Sequence, residues 1–240
     1  MSATVIIPTT GVPELKDAVE SVLKQTYDTT CYVVIDGEEN ADKVYNLLYD
    51  IEKSWTNKLI VANLPINVGA KGFYGHRVYA AFTHLVNTEY VLYLDQDNWF
   101  EPNHIESCVK TIEQDKFDWS YSLRNIYNKD KTFLTTDDCE SLGRWPTYHN
   151  NNHIDTNCYC IKTKVAASIA NAWHGGWGQD RVFFSALSRY YEQFDCSKEY
   201  TVNYRVDGGQ GSVNADFFIN GNAVMNEKYN GNYPWRKKSS

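Results

Sequence analysis

YVLYLDQDN, Tyr90 to Asn98, runs five mostly apolar residues straight into two aspartates, Asp95 and Asp97, with Gln96 between them. An extended chain alternates its side chains, so both carboxylates would fall on one side of it. At the carboxyl end of a buried strand they would face the crevice where open α/β sheets bind ligands. Two carboxylates held that close repel each other unless a cation sits between them. Oxygen donors of this kind suit Mg²⁺ or Mn²⁺ bridging to phosphate oxygens. A strand that simply ends in a polar turn produces the same residues without any ligand, because Asp and Asn are common turn formers.

Ahead of this stretch the chain alternates strand and helix. Thr4 to Ile7 reads as a β-branched strand stopped by Pro8, and Pro13 suits the first turn of a helix. Leu15, Ala18, Val19, Val22 and Leu23 recur at helical spacing as far as about Tyr27. A second strand, Tyr32 to Ile35, ends at Asp36-Gly37. The next helix, about 41–54, presents Val44, Leu47, Leu48 and Ile51, and Lys58 to Ala62 forms a third strand. The loop Asn67 to Gly72 leads into a helix of about 74–86, with Val78, Ala81, Phe82 and Leu85 inward. Past the aspartates, Pro102 opens a helix whose buried face is Ile105, Cys108, Val109 and Ile112. The pattern predicts an α/β fold with a mostly parallel central sheet flanked by helices.

After residue 115 the rhythm changes. Asp118 to Tyr127 and Thr132 to Leu134 flank a polar turn and predict a small antiparallel element. Thr135 to Asn152 is polar and predicts a long surface excursion, followed by a returning strand over Ile154 to Ile161 and a short helix over Lys164 to Ala172. Gly175 to Asp180 is a glycine-rich turn into a helix carrying Val182, Phe183, Ala186 and Leu187, and Tyr200 to Val206 is a last strand. No linker or repeat divides the chain, which predicts one domain over 1–240. Within it, strand and helix alternate over about 1–115, the pattern changes over about 116–207, and 208–240 would be irregular.

The bulk composition narrows the function classes. A formal charge of −7 argues against a nucleic-acid surface, whose affinity comes from Lys and Arg on phosphates. The six cysteines are scattered, and Cys158-Tyr-Cys160 lacks zinc-knuckle spacing, so reduced core thiols in a cytoplasmic setting are expected. The N-terminus shows no signal-like run, and no window is long enough to be an integral membrane segment. Arg236-Lys237-Lys238 would give only a weak peripheral contact with a membrane surface, and a frayed tail is the simpler reading.

Several other residues are candidates for chemistry. Asp36 closes the second strand at the same sheet edge as Asp95, where it could accept hydrogen bonds from a base or ribose. Asn67 to Gly72 holds two glycines near a helix start, where amides approach anions closely, and Arg77 follows in that helix. An ordinary helix-entry turn and a surface arginine explain these equally. Asp180 suits a helix N-terminus electrostatically, and it could also act as a general base at the mouth of the site. The first loop, Pro8-Thr9-Thr10-Gly11, carries neither a dinucleotide fingerprint nor a P-loop.

Together these pieces resemble the inverting, metal-dependent nucleotide-sugar glycosyltransferases of family 2, which have the GT-A fold. The likeness rests on Val5-Ile6-Ile7-Pro8-Thr9, Ser21 to Tyr27, Asp36-Gly37, Asn67-Val68-Gly69, Arg77, Asp95-Gln96-Asp97 and Gln179-Asp180, in that order. The resemblance implies that Thr9, Asp36, Asn67, Gly69, Arg77, Asp95 and Gln96 bind a nucleoside-diphosphate sugar, with a lean to uridine. It further implies that about 1–115 binds the nucleotide and about 116–207 forms the metal and acceptor side, that Asp95 and Asp97 hold Mn²⁺ or Mg²⁺, and that Asp180 is the base for an acceptor hydroxyl on a glycan or similar molecule. Trp99, Trp145 and Trp177 are acceptor-side candidates.

The chain departs from the family pattern at Ile35, where an acid is common, and at Gln179, which replaces the first acid of a pair. No histidine follows His174, so a cation would rest on the two aspartates, diphosphate oxygens and water. A nucleotidylyltransferase would need a basic glycine-rich first loop. A non-catalytic carbohydrate-binding protein would need neither Asp97 nor Asp180.

Overall fold

The structure, a computed structural model, describes residues 1–206 and 213–237. Its centre is β1 (Ala3–Thr9), in which all seven residues are buried. Helices cover both faces, so the run Ala-Thr-Val-Ile-Ile needs no polar alternation. β1 pairs in parallel with β2 (Thr29–Ile35) on one side and with β4 (Tyr90–Tyr93) on the other. β3 (Leu59–Asn63) extends the same parallel set beyond β2. Thr9 stands opposite Ile35 and Ile6 opposite Tyr93, so Asp36 and Asp95 emerge at the same edge.

The remaining strands are β5 (Trp99–Phe100), β6 (Trp119–Tyr127), β7 (Phe133–Thr136), β8 (Tyr159–Lys162) and β9 (Phe194–Arg205). They continue the sheet in the order β3-β2-β1-β4-β8-β6-β9-β5, with β7 on β6. Here the direction alternates: β8 is antiparallel to β4 and β6, whereas β6 and β9 are parallel. The returning strand begins at Tyr159 instead of Ile154. Thr156–Cys158 winds into a 3₁₀ turn, because the Asp155 carboxylate caps it by accepting the Asn157 amide.

The helices are α1 (Leu15–Leu23), α2 (Ala41–Ser54), α3 (His76–Phe82), α4 (His104–Asp115), α5 (Thr163–Ser168), α6 (Gln179–Tyr190) and α7 (Ala215–Tyr229). The inward faces of α1 and α4 are the ones their spacing predicts. α3 differs: after Phe82 the chain tightens to a 3₁₀ turn, Thr83–Leu85. Three residues per turn rotate Thr83 inward, where its hydroxyl meets Tyr79 O and Tyr93 Oη, and leave Leu85 56% exposed. Ala81 is exposed as well. In α6 Val182 is 51% exposed, contrary to expectation, while Phe183 and Phe184 are buried. The two large rings take the core side, Phe183 stacking on Trp173 at 4.0 Å and Phe184 meeting Trp119 edge-on.

Two further expectations are overturned. Thr135 to Asn152 is no surface excursion: Asp137, Asp138, Cys139, Ser141, Leu142 and Thr147 are all buried. Its polar groups tolerate burial because they are partnered, the Asp137 carboxylate accepting the amides of Cys139, Glu140 and Ser141. The tail, read as irregular from 208 onward, contains α7, capped by the Asn214 side chain accepting the Phe217 amide at 3.0 Å. Gly221 lets this helix lie directly on Cys139, where a Cβ would collide with the thiol.

The tail as far as Lys237 is not frayed either. Trp235 is fully buried and donates Nε1–H to Asp138 at 2.7 Å, and Arg236 pairs with the same carboxylate. Trp235→Phe keeps the ring packing but drops the donor, which should cost about 1–3 kcal/mol in chemical denaturation. An unchanged midpoint would show that the tail contributes nothing through that bond. Gly208, Gly209 and Gly211 of the stretch expected to be irregular, and Lys238 of the basic tail, lie outside the described residues. No helix among the described residues is long and apolar enough to cross a membrane. All six cysteines are buried and free, as their spacing implies.

Candidate active site

The carboxyl ends of β1, β2 and β4 open into a cavity of about 670 Å³. Thr9, Asp36, Asn67, Gly69, Asp95, Gln96, Asp97, Trp177 and Asp180 all line it. Arg77, Trp99 and Trp145 do not. The cavity also takes Arg124, Glu140, His153, Asp155, Tyr204 and Arg205, none of which belonged to the candidate set.

Asp36 is buried at the end of β2 and holds the next loop in place. Its two carboxylate oxygens accept the amides of Val68 at 2.6 Å and Gly69 at 2.8 Å. Burial pushes its pKa up, and the two amides oppose that shift. Gly69 is required here, since a Cβ would run into the Tyr74 carbonyl and the Asp36 carboxylate. Arg77 braces the same loop from behind. Its guanidinium lies 3.3 Å from the Phe73 ring centroid and donates to Val68 O.

Asp95 and Asp97 share the cavity, although strand alternation is not what brings them together. β4 stops at Tyr93, and a turn closed by the Asn98 amide on Asp95 O carries both carboxylates inward. Asp95 accepts Tyr79 Oη–H at 2.8 Å and Asn157 Nδ2–H at 3.0 Å, while its own amide donates to Asn157 Oδ1. Burial raises its carboxyl to about 7, and the charges of Asp97 and Asp155 push the same way. Asp97 is raised too, first by burial, with Arg205 opposing. Gln96 turns back to the first loop, where its Oε1 accepts the Thr9 hydroxyl and the Thr10 amide at 2.7 and 3.0 Å. One triplet therefore ties the acidic turn to β1.

The donor set fits a hard divalent cation. Asp95 and Asp97 offer carboxylate oxygens whose mutual repulsion a cation would relieve. Among the described residues no cluster of three or more His, Cys, Asp or Glu side chains is arranged to hold a metal. Mg²⁺ at nucleotides needs only one or two protein carboxylates, with phosphates and water completing the shell.

Asp180 sits in the first turn of α6, entered through Gly178 in a left-handed conformation at φ 80°. One of its oxygens accepts the Arg181 amide at 2.8 Å, and the other lies 3.4 Å from His153 Nε2. Gln179, where the family has an acid, points away and donates to Ala172 O at 2.6 Å, locking the turn before the helix. Trp177 is 71% exposed, three residues before Asp180, with the Arg181 guanidinium over its ring at 5.7 Å. Trp99 packs instead on Tyr127 and under Arg205, and Trp145 lies against Trp235.

At the cavity wall, Arg124 is buried among Asp137, Glu140 and Asp155 and bonded to all three. Arg205 bonds to Asp97 O and Asp17. Neither arginine belongs to a spaced motif. Their one visible signal is a charge set in an apolar strand, Tyr-Ser-Leu-Arg124 and Val-Asn-Tyr-Arg205.

Comparison with known proteins bears on this arrangement. A Haemophilus influenzae protein described only as uncharacterized is 40% identical over 57 residues, or 24% of this chain and 38% of that protein. Among solved structures, S. aureus TarS 1–349 superposes with a TM-score of 0.63 at 14% identity, covering 85% of this chain and 60% of that one. TarS 1–349 in complex with UDP gives 0.62 at 16% identity, over 86% and 61% of the two chains. The complex with UDP-GlcNAc gives 0.64 at 15%, over 96% and 67%. At such identities the likeness establishes the fold, and this chain spans about 60% of TarS 1–349. The profile described as Glycosyl transferase family 2 matches residues 4–171, which include both acidic turns and stop short of Asp180. The chain therefore belongs to glycosyltransferase family 2 and has its GT-A fold.

Proposed function

We propose that the protein moves a sugar from a nucleoside-diphosphate sugar, UDP-linked, to an acceptor hydroxyl with inversion at the anomeric carbon. The observation that carries this reading is the convergence of Asp36, the Asp95–Asp97 turn and Asp180 on one cavity. The Asp36-braced loop and Thr9 would receive the nucleoside, with the Gly69 backbone free to approach it. TarS, which shares the fold, is described in complexes with UDP and UDP-GlcNAc, which favours uridine as the base. Asp97, with Asp95 behind it, would hold Mn²⁺ or Mg²⁺ against the diphosphate, neutralising the charge that grows on the leaving group. Arg205 keeps the Asp97 turn in place through its bond to Asp97 O. Asp180 would take the acceptor's proton as its oxygen attacks the face opposite the diphosphate. No other carboxylate is needed as a nucleophile, and single displacement inverts the centre.

The discriminating test is a panel of nucleotide sugars with and without Mn²⁺, read by thermal shift and donor hydrolysis. A UDP-linked donor at a hundred times its Kd should stabilise the protein by about 2.7 kcal/mol. Asp97→Ala should abolish the metal-dependent part of that stabilisation while leaving the unliganded melting temperature near its original value. Unchanged affinity for UDP in the presence of Mn²⁺ would remove Asp97 from metal binding. Sugar binding with no dependence on metal or on Asp180 would point instead to a carbohydrate-binding protein without catalysis.

A further inference from the structure

His153 is the imidazole within 4 Å of the proposed base among the described residues. Its side chain is 4% exposed, and Nε2 lies 3.4 Å from the nearer Asp180 oxygen. Nδ1 is buried with no hydrogen-bond partner among the described residues. The ring is held by its backbone, since His153 O accepts the Gly143 amide at 2.8 Å. Gly143 itself cannot carry a side chain, because a Cβ would enter the Tyr121 ring. Two residues on, Asp155 bonds to Arg124, and Asn157 bonds to Asp95 through both its amide nitrogen and its carbonyl oxygen. One five-residue segment thus touches the base at one end and the acidic turn at the other.

We propose that His153 is a positioning residue for catalysis: its imidazole donates Nε2–H to Asp180 and aims the free carboxylate lone pairs at the acceptor hydroxyl. The inference rests on Asp180 being the base. The 3.4 Å approach is long for a hydrogen bond, as such contacts often are before substrate binds, and shortens in the reactive complex. In the step itself, the acceptor oxygen bonds to the anomeric carbon while the bond from that carbon to the diphosphate oxygen breaks. The hydroxyl proton passes to the Asp180 carboxylate, and the electron pair of the broken bond leaves with the diphosphate. His153 keeps its own proton throughout. Its part is to hold Oδ2 still while the Arg181 amide holds Oδ1, so that the remaining lone pair of Oδ2 faces the acceptor as the proton moves. Because the same segment grips Asp95 through Asn157, it also sets the distance between base and leaving group.

His153→Leu should lower kcat for transfer about ten-fold, leaving KM for the donor and the affinity for UDP with Mn²⁺ unchanged. His153→Gln, which can present an N–H near the Nε2 position, should recover most of the rate. In an Asp180→Asn background, His153→Leu should cost nothing further, since a carboxamide no longer accepts the proton. Equal loss from His153→Leu in both backgrounds would overturn the proposal, as would a Gln variant no better than Leu. A raised donor KM with kcat intact would also overturn it, by making His153 part of donor binding. If Asp180→Asn alone left transfer intact, the assignment of the base would fail, which is a different result from additive losses.

Discussion

Asp180→Asn leaves the protein folded and able to bind UDP with Mn²⁺, yet slows sugar transfer by roughly 10²-fold or more. The substitution is nearly isosteric. The carbonyl oxygen of the new side chain can still accept the Arg181 amide, now at 2.8 Å, so the start of α6 should survive. What disappears is the second anionic oxygen, the one that lies against His153. The acceptor hydroxyl would then have to lose its proton to water in the transition state. Donor binding draws on the other side of the cavity, where Asp36, Gly69 and the Asp95–Asp97 turn lie. KM for the donor should therefore stay within a few-fold while kcat falls. Isothermal titration with UDP and Mn²⁺, run beside an initial-rate assay with acceptor, separates the two effects. Near-normal kcat in the variant would remove Asp180 from proton transfer and send the search for a base to Glu140 or Asp155, which line the same cavity.

The acidic residues of the site were legible in the chain because each ends a local pattern. Asp36 and Asp95 follow short β-branched or apolar runs, and parallel pairing on β1 then brings such ends to one edge without further information. What could not be read was the direction a side chain takes once there. Arg77 has the helical position of a ligand-binding residue, yet it turns its guanidinium onto Phe73, a choice made by one neighbouring ring. Trp99 and Trp145 were plausible platforms by type, and packing against Tyr127 and Trp235 used them up. α7 was hidden for a related reason. Gly221 and its many asparagines lower intrinsic helix propensity, and the helix exists because Phe218 and Met225 are buried and Gly221 fits over Cys139. The buried loop from Asp137 to Thr147 is the sharpest case. Its polarity argues for solvent until Arg124, distant in sequence and inside a strand, supplies the charge that its acids need.

Arg124 is also where the largest loss of stability is expected. Arg124→Met fills much of the same volume but leaves Asp137, Glu140 and Asp155 without their cation, at a cost of about 3–5 kcal/mol at neutral pH. The pH dependence follows from the Asp137 carboxyl. Burial works to raise it, yet Arg124 and three backbone amides hold it below the usual value. A depressed carboxylate contributes stability above its unfolded pKa of about 3.9 and loses it as pH falls through the folded value. Without the guanidinium, burial is left unopposed by any cation, the carboxyl rises, and the variant loses stability as pH climbs. The gap between the two proteins should thus be widest near pH 7 and narrow towards pH 4.5 in urea denaturation. Adding Asp137→Asn, Glu140→Gln and Asp155→Asn to Arg124→Met should restore part of the loss, because no buried charge then lacks a partner. Activity should not return with it: Asp155 starts the turn that presents Asn157 to Asp95, and its own anchor on Arg124 is gone. A gap independent of pH would mean that Arg124 matters for its packing against Tyr204, 4.5 Å away, and not for its charge. Recovery of transfer along with stability would show that the acidic turn holds its shape without the network under it.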